Sequence, residues 1–443
     1  MKRKTTARQA ADNAADSRLA QANTILVGID WADKAHEYHL VTPEGNVEHG
    51  EFKQAPDSIA HWIAWLKQQH PNAQIEVCIE TSRGALINGL LEHDVKLFPI
   101  NPNALAKYRE SFNHGGGKSD FVDARLIFKF LASRRKSLRP LTPNEPLTRR
   151  LAALAQDRRN LVQHRVELAN QLTSTLKTYF PAALALEPAK IYADFMVKFL
   201  ISFSTLQLAQ SAGKTKLRKY FFGVGAKQKA EDRIETLMSA SPLTTDEVVV
   251  STCSRKVRSI CGLLKSINQS IGQYDREIKA LVKQHADYSI VASFPGSAAK
   301  TQARMIAALG DDRSRYDDCK SFQCAAGIAP LTRQSGTQKV VTSRWACTKF
   351  VRQTFHEYAG LSISQSQWAK AFYQSQLAKG KKPQAAKRAL AYKWMRIIFR
   401  CWKERVCYDE AKYLQRLVDT NRPWPSCSQQ AKLNSKAMNS GGA

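Results

Sequence analysis

The spacing of apolar and polar positions changes near Pro140. Before it, short apolar runs are broken by turn residues. Ile25-Leu26-Val27-Gly28-Ile29-Asp30 is mostly β-branched and closes on a carboxylate, the pattern of a buried strand whose last side chain faces a site. Residues 36–41 and 47–52 alternate on either side of the turn Pro43-Glu44-Gly45-Asn46, which predicts a hairpin. Ile59, Trp62, Ile63 and Leu66 keep helical spacing. Ile75-Glu76-Val77-Cys78-Ile79-Glu80 reads as a second buried strand ending in an acid, followed by a helix through Leu86, Leu90 and Leu91 and a strand over 95–100.

Beyond Pro140 the pattern predicts long helices. Leu147, Leu151, Leu154, Leu161, Leu168 and Leu172 hold one stripe, with Arg158 and Arg165 falling in it. Val257, Ile260, Leu264, Ile267, Ile271, Tyr274, Ile278 and Leu281 alternate steps of three and four, as in a coiled-coil seam that could join a helix pair or a dimer. The fold class read from these patterns is α/β plus all-α. A flexible basic arm is expected over 1–23, a ribonuclease-H-like (RuvC-like) domain over 24–139 and a helical, coiled-coil region over 140–287 with a subdomain inserted at 181–245. A helical domain over 288–421 and a disordered tail over 422–443 complete the chain. The ribonuclease-H-like assignment rests on element order, three antiparallel strands and then alternating helix and strand.

Charge adds direction to this outline. The 443 residues carry a net charge of +29, which points to a polyanionic partner. Residues 24–133 hold 10 Lys+Arg against 14 Asp+Glu, whereas residues 134–443 hold 52 against 22. The acidic segment is therefore set apart from a strongly basic remainder. A transmembrane run is absent from the sequence, and Met1-Lys2-Arg3-Lys4 lacks the apolar core of a secretory signal, so a cytoplasmic, nucleoid-associated protein is expected. Nine scattered cysteines without a CxxC pair support neither a zinc site nor a disulfide framework.

The candidate chemistry lies in the acids. Lys118-Ser119-Asp120-Phe121-Val122-Asp123 puts Asp120 and Asp123 three apart, on one face of a helix. With Asp30 and Glu80 they make four carboxylates at the ends of core elements. Such a group stays ionised only around positive charge, and hard oxygen ligands suit Mg2+. Taken singly, each acid has a plainer use as a cap or surface charge. His36, His39 and His114 stand near enough in sequence to be acid/base candidates, but none is singled out. In the basic remainder, Phe294-Pro295-Gly296-Ser297 reads either as a backbone-binding hairpin or as an interhelical turn. Lys349, Arg352, Lys381, Lys382, Lys387, Arg388, Lys393, Arg396 and Arg400 are interleaved with Trp345, Phe350, Phe355, Tyr392, Trp394 and Trp402. Such a mixture suits phosphate contact and stacking. For Trp394 and Trp402 the favoured place is the core. Ser335 sits in an Arg-Gln-Ser-Gly turn and has no base near it in sequence.

Together Val-Gly-Ile-Asp30, Cys-Ile-Glu80-Thr, Lys118-Ser-Asp-Phe-Val-Asp-Ala-Arg125 and Gly327-Ile-Ala-Pro with Gln-Ser-Gly336 resemble the DEDD-type insertion-sequence transposases. These are the bridge-RNA-guided serine recombinases of the IS110 family. The resemblance spans residues 24–405 and is thinnest over the insertion. It implies a Mg2+-binding tetrad of Asp30, Glu80, Asp120 and Asp123, with Ser335 attacking DNA to form a phosphoserine ester. It further implies donor and target double-stranded DNA, a structured guide (bridge) RNA, and a dimer or tetramer in which one subunit's serine meets another's carboxylates. Lys118, Arg125, Arg333, Lys349, Arg352, Lys387 and Arg388 are the candidate nucleic-acid contacts. Where such proteins often carry Pro-Gly-Ile-Gly, this chain has Pro295-Gly296-Ser297-Ala298, and the segment after Ser335 is less glycine-rich. The expected activity is RNA-guided DNA cleavage and strand exchange; the alternative is a RuvC-like nuclease that hydrolyses branched DNA, with Ser335 structural. A non-catalytic nucleic-acid-binding protein is the reading from another class, and the presence of all four acids weighs against it.

Overall fold

The computed structural model describes residues 7–111 and 120–419, in two compact units that divide between Pro143 and Asn144. The first unit opens with helix α1 (Ala7–Ser17), followed by strands β1 (Thr24–Asp30), β2 (Ala35–Val41) and β3 (Val47–Lys53). Then come α2 (Pro56–Gln69), β4 (Gln74–Ile79), α3 (Ala85–Leu91), β5 (Val95–Pro99), α4 (Pro102–Glu110) and α5 (Asp120–Arg134). The strands form one five-stranded sheet in the order β3-β2-β1-β4-β5. β1 pairs antiparallel with β2, and β2 with β3, while β1, β4 and β5 run parallel. This is a mixed α/β unit consistent with the RuvC-like expectation.

Strand alternation sorts the side chains into two cores. Ile25, Val27 and Ile29 meet Ile59, Trp62, Ile63 and Leu66 of α2 and Leu86, Ile87 and Leu90 of α3. On the opposite face Leu26, Cys78 and Phe98 meet Leu126, Ile127, Phe128 and Leu131 of α5. The sheet is thus covered on both sides, which is why its central strands read as continuous apolar runs.

The first unit departs from expectation at its start. Where a flexible arm was expected, residues Ala7–Ser17 are helical, and Asp16 at the helix end is fully buried. Its carboxylate lies 3.3 Å from His39 and accepts a hydrogen bond from Arg125, with Lys129 3.5 Å away. Arg125 also pairs with Asp12 at 2.8 Å. Specific ion pairing holds this helix, so an apolar-periodicity scan had nothing to register.

The second unit contains two long helices, α6 (Pro146–Tyr179) and, after four shorter helices, α11 (Glu247–Val282). The shorter ones are α7 (Ala182–Ala185), α8 (Asp194–Ser202), α9 (Leu206–Gly223) and α10 (Ala230–Ser239). α6 and α11 pack antiparallel. Thr148 meets His285, just beyond α11, at 2.7 Å, whereas Leu172 and Leu176 share a core with Val257, Ile260 and Leu264. Helices α7–α10 complete that core with Met196, Phe199, Leu200 and Phe221. The heptad stripe of α11 is therefore filled from within the chain.

The remainder comprises α12 (Tyr288–Ala292), α13 (Ala299–Leu309), α14 (Cys319–Ala325), the hairpin β6 (Leu331–Ser335) and β7 (Gln338–Thr342), α15 (Lys349–Ser362), α16 (Gln367–Ala378), α17 (Pro383–Glu404) and α18 (Glu410–Asp419). Their core includes Trp368, Trp394 and Trp402, all at most 1% exposed. Trp394 donates to Ser362 Oγ at 2.8 Å and Trp402 to the Gly310 carbonyl at 3.2 Å, so both occupy the expected core with their N–H groups satisfied.

Candidate active site and nucleic-acid interface

Pairing of β1 with β4 fixes the acidic end of the sheet. Ile29 lies opposite Ile79, so Asp30 and Glu80 are the next positions of two parallel neighbours. By alternation both share the face of Gly28 and Cys78, the face that α5 covers. There is no room at that crossing for a side chain on the strand. A Cβ on Gly28 would stand 2.2 Å from Phe128 N and 2.3 Å from Ala124 O, so glycine is required for the backbones to approach this closely. Arg135, just past α5, donates to Glu76 at 2.6 and 2.8 Å near the other end of β4. α5 thus runs antiparallel to β1, and its first turn points toward the end of the sheet that carries Asp30 and Glu80.

Asp123 lies in that first turn and is only 5% exposed. Its Oδ1 is 2.8 Å from Nη2 of Arg109, at the end of α4. A guanidinium therefore supplies the positive charge beside one of the four acids. Among the described residues no three acidic, histidine or cysteine side chains stand close enough to hold a metal ion. The Asp120 side chain, and Lys118 and His114 altogether, lie outside the described residues. The donor set is chemically suited to a hard divalent cation, since every candidate ligand is a carboxylate oxygen on the α5-facing side or in the first turn of α5.

Three polar residues from the sequence reading serve the scaffold instead. Arg125, read as a nucleic-acid contact, turns inward: its side chain is 14% exposed and is engaged by Asp12 and Asp16. The residue type was right for a phosphate, but two carboxylates of α1 satisfy it. His36 pairs with Gln54 at 2.7 Å and accepts from Ala32 N, and burial lowers its pKa. His39 is likewise lowered, chiefly by burial, against the opposing pull of Asp16. The sequence reading missed Arg109 and Arg135. Arg135 meets an acid 59 residues away and Arg109 one on the following helix, and periodic spacing carries no signal for either pair.

In the second unit, Ser335 closes β6 opposite Gln338, across the two-residue turn Gly336-Thr337. Ser335 is exposed, and alternation puts it on the same face of the ribbon as Arg333. Among the described residues no base contacts its hydroxyl. Val340 and Val341, on opposite faces of β7, are 55% and 59% exposed, so neither face of the ribbon is covered. A two-stranded ribbon of this kind gains little stability alone. At its base, Lys349 and Arg352 start α15, while Lys387 and Arg388 lie in the first turns of α17. Lys349 is exposed, and the other three are half-buried.

An α/β sheet with acids at one end, joined in one chain to a basic helical unit, suits an enzyme that acts on nucleic acid, and the comparisons place the chain among the DNA-processing enzymes of the transposase class. Residues 27–181 match the family described as DEDD_Tnp_IS110, transposase, and residues 288–374 match that described as transposase, IS116/IS110/IS902 family. The chain is a member of the IS116/IS110/IS902 family, a transposase of an insertion sequence. It is 28% identical to the mini-circle putative transposase for IS117 of Streptomyces coelicolor, over 89% of this chain and 98% of that protein. It is 26% identical to an uncharacterized protein of insertion element IS116 from Streptomyces clavuligerus, over 70% and 77% of the two chains. An uncharacterized protein of insertion element IS900 from Mycobacterium paratuberculosis is 22% identical over 88% and 98%.

Proposed function

We propose that this transposase moves its element by RNA-guided, site-specific cleavage and exchange of DNA strands, with Ser335 as nucleophile and Mg2+ at the carboxylates. The observation that carries this reading is the placement of Asp30 and Glu80 in register on the face covered by α5, whose first turn supplies Asp120 and Asp123. Those four residues would hold the ion, which supplies charge neutralisation at a reacting phosphodiester. Arg109, 2.8 Å from Asp123, supplies positive charge beside the carboxylates.

Ser335 Oγ attacks the phosphorus and forms a serine phosphodiester, while the bridging oxygen leaves as a hydroxyl. Attack by another strand's hydroxyl on that ester rejoins DNA and returns the serine. One ester is exchanged for another at each step, so no nucleotide hydrolysis is needed. The exposure of Ser335 and its lack of an activating base among the described residues support a composite centre, in which a second protomer supplies the groups that take the proton. Arg333, Lys349, Arg352, Lys387 and Arg388 supply phosphate contacts, and Lys118 is a further candidate.

Ser335→Ala is expected to abolish strand exchange and any covalent protein–DNA adduct on denaturing gels, and Asp120→Asn to abolish cleavage altogether. If Ser335→Ala cuts DNA normally, the protein is a hydrolytic nuclease and the serine is structural. For the guide, the resemblance supports an RNA and the basic second unit supports a polyanion. The purified protein is expected to carry a discrete RNA, whose digestion by RNase removes target choice. Unchanged target choice after digestion rejects guidance.

A further inference from the structure

Trp345 is 84% exposed, the most open of the large apolar side chains among the described residues. A solvated indole on a loose loop would carry little meaning, but this loop is tied down on both sides. Arg388 donates to the hydroxyl of Ser343. Arg352 donates to the Arg344 carbonyl at 3.3 Å. Cys347 packs so tightly on Gly327 that a Cβ there would stand 2.3 Å from its sulfur. The indole is therefore presented outward from a braced segment.

Beside it opens a cleft of about 340 Å3, whose lining includes Ser343, Trp345, Arg352, His356, Gln384 and Arg388 and no acidic residue. The Nε of Arg344 is buried without a hydrogen-bond partner among the described residues, a further unmet donor in the same segment. An exposed aromatic face, two guanidinium groups and neutral donors and acceptors match the parts of one nucleotide. The ring offers a stacking surface to any base, the arginines suit phosphate, and Gln384 and His356 suit a base edge. Stacking against an indole needs a base free of its own stack, which excludes a paired base inside intact duplex.

We propose that this cleft binds a single unpaired nucleotide, its base stacked on Trp345 and its phosphates on Arg352 and Arg388. The inference deepens the strand-exchange reading and rests on it for the origin of the nucleotide. Strand exchange must leave bases transiently without partners, and the cleft opens at the base of the hairpin that carries Ser335. Four residues of extended strand separate tip and base, on the order of 14 Å. The unpaired base therefore falls within a few nucleotides of the strand that meets Ser335.

The test uses the full chain and a single-stranded DNA oligonucleotide bearing 2-aminopurine, whose fluorescence is quenched by stacking. The wild type is expected to quench it. Trp345→Ala should abolish the quench and weaken single-strand binding by about tenfold. Trp345→Phe should keep part of both, and duplex of the same sequence should bind Trp345→Ala within about twofold of wild type. An RNA oligonucleotide of the same sequence distinguishes the source, and the one bound tighter names the strand that the cleft takes. Wild-type quenching by Trp345→Ala overturns the inference, as does an equal loss for duplex and single strand, or a change confined to self-association. Ser335→Ala should quench normally. If that variant also cuts DNA normally, the strand-exchange reading falls while the nucleotide cleft stands.

Discussion

Burial by itself would push the Asp16 carboxyl upward, yet His39 and Arg125, with Lys129 beside them, hold it down at about 2. Its ordinary value is 3.8, so this group stabilises the fold above pH 4, and that stabilisation is lost as pH falls toward 2. His39 acts at higher pH with the same sign. Burial depresses its pKa below 6.5, so the unfolded chain takes up the proton first and stability declines as pH falls through that value. We expect α1 to detach in acid, read as falling protection from hydrogen exchange over residues 12–17, relative to the intrinsic rate at each pH. Asp16→Asn should flatten the lower limb and remove about 2 kcal/mol at neutral pH. If protection in α1 is unchanged from pH 7 to pH 3, the buried cluster is not what secures this helix.

The elements differ in how far the sequence announced them. β1 was legible because a strand buried on both faces must be apolar throughout. β4 shows one interruption, Glu76, which Arg135 pairs, and β5, at the sheet edge with Lys96 exposed, was marked by its buried Leu97 and Phe98. Asp30 and Glu80 were legible for the same reason, as charges that end apolar runs. α1 was not, because its attachment depends on an aspartate and an arginine 109 residues apart. The stripe on α11 was visible, but a stripe specifies only that something covers it. Here α6 and the inserted helices do so, which leaves the dimer, one of the two partners that the seam allowed, uncompelled by it. Leu264 is fully buried where these helices meet. Leu264→Ala is expected to cost about 3 kcal/mol and to lower the thermal transition of the second unit while leaving that of the first in place. A shift in both transitions would show that the two units unfold as one.

For the whole molecule, the excess of 52 Lys+Arg over 22 Asp+Glu in residues 134–443 sets the response to salt. The logarithm of the affinity for DNA should fall linearly with the logarithm of salt concentration, and each phosphate-contacting cation removed should lower the slope by about one. Arg352→Ala and Arg388→Ala are each expected to do so in filter-binding titrations. Arg125→Ala should leave the slope unchanged, because its charge is already matched by Asp12 and Asp16. An unaltered slope in all three variants would place the DNA track elsewhere on the basic unit. The crossing at Gly28 bears on the heredity of the mobile element. A change of either of the first two bases of a glycine codon substitutes another residue or a stop, and any side chain there would wedge α5 off the strand that carries Asp30. One spontaneous error at that codon can silence a copy permanently, even though the altered residue itself would touch no DNA.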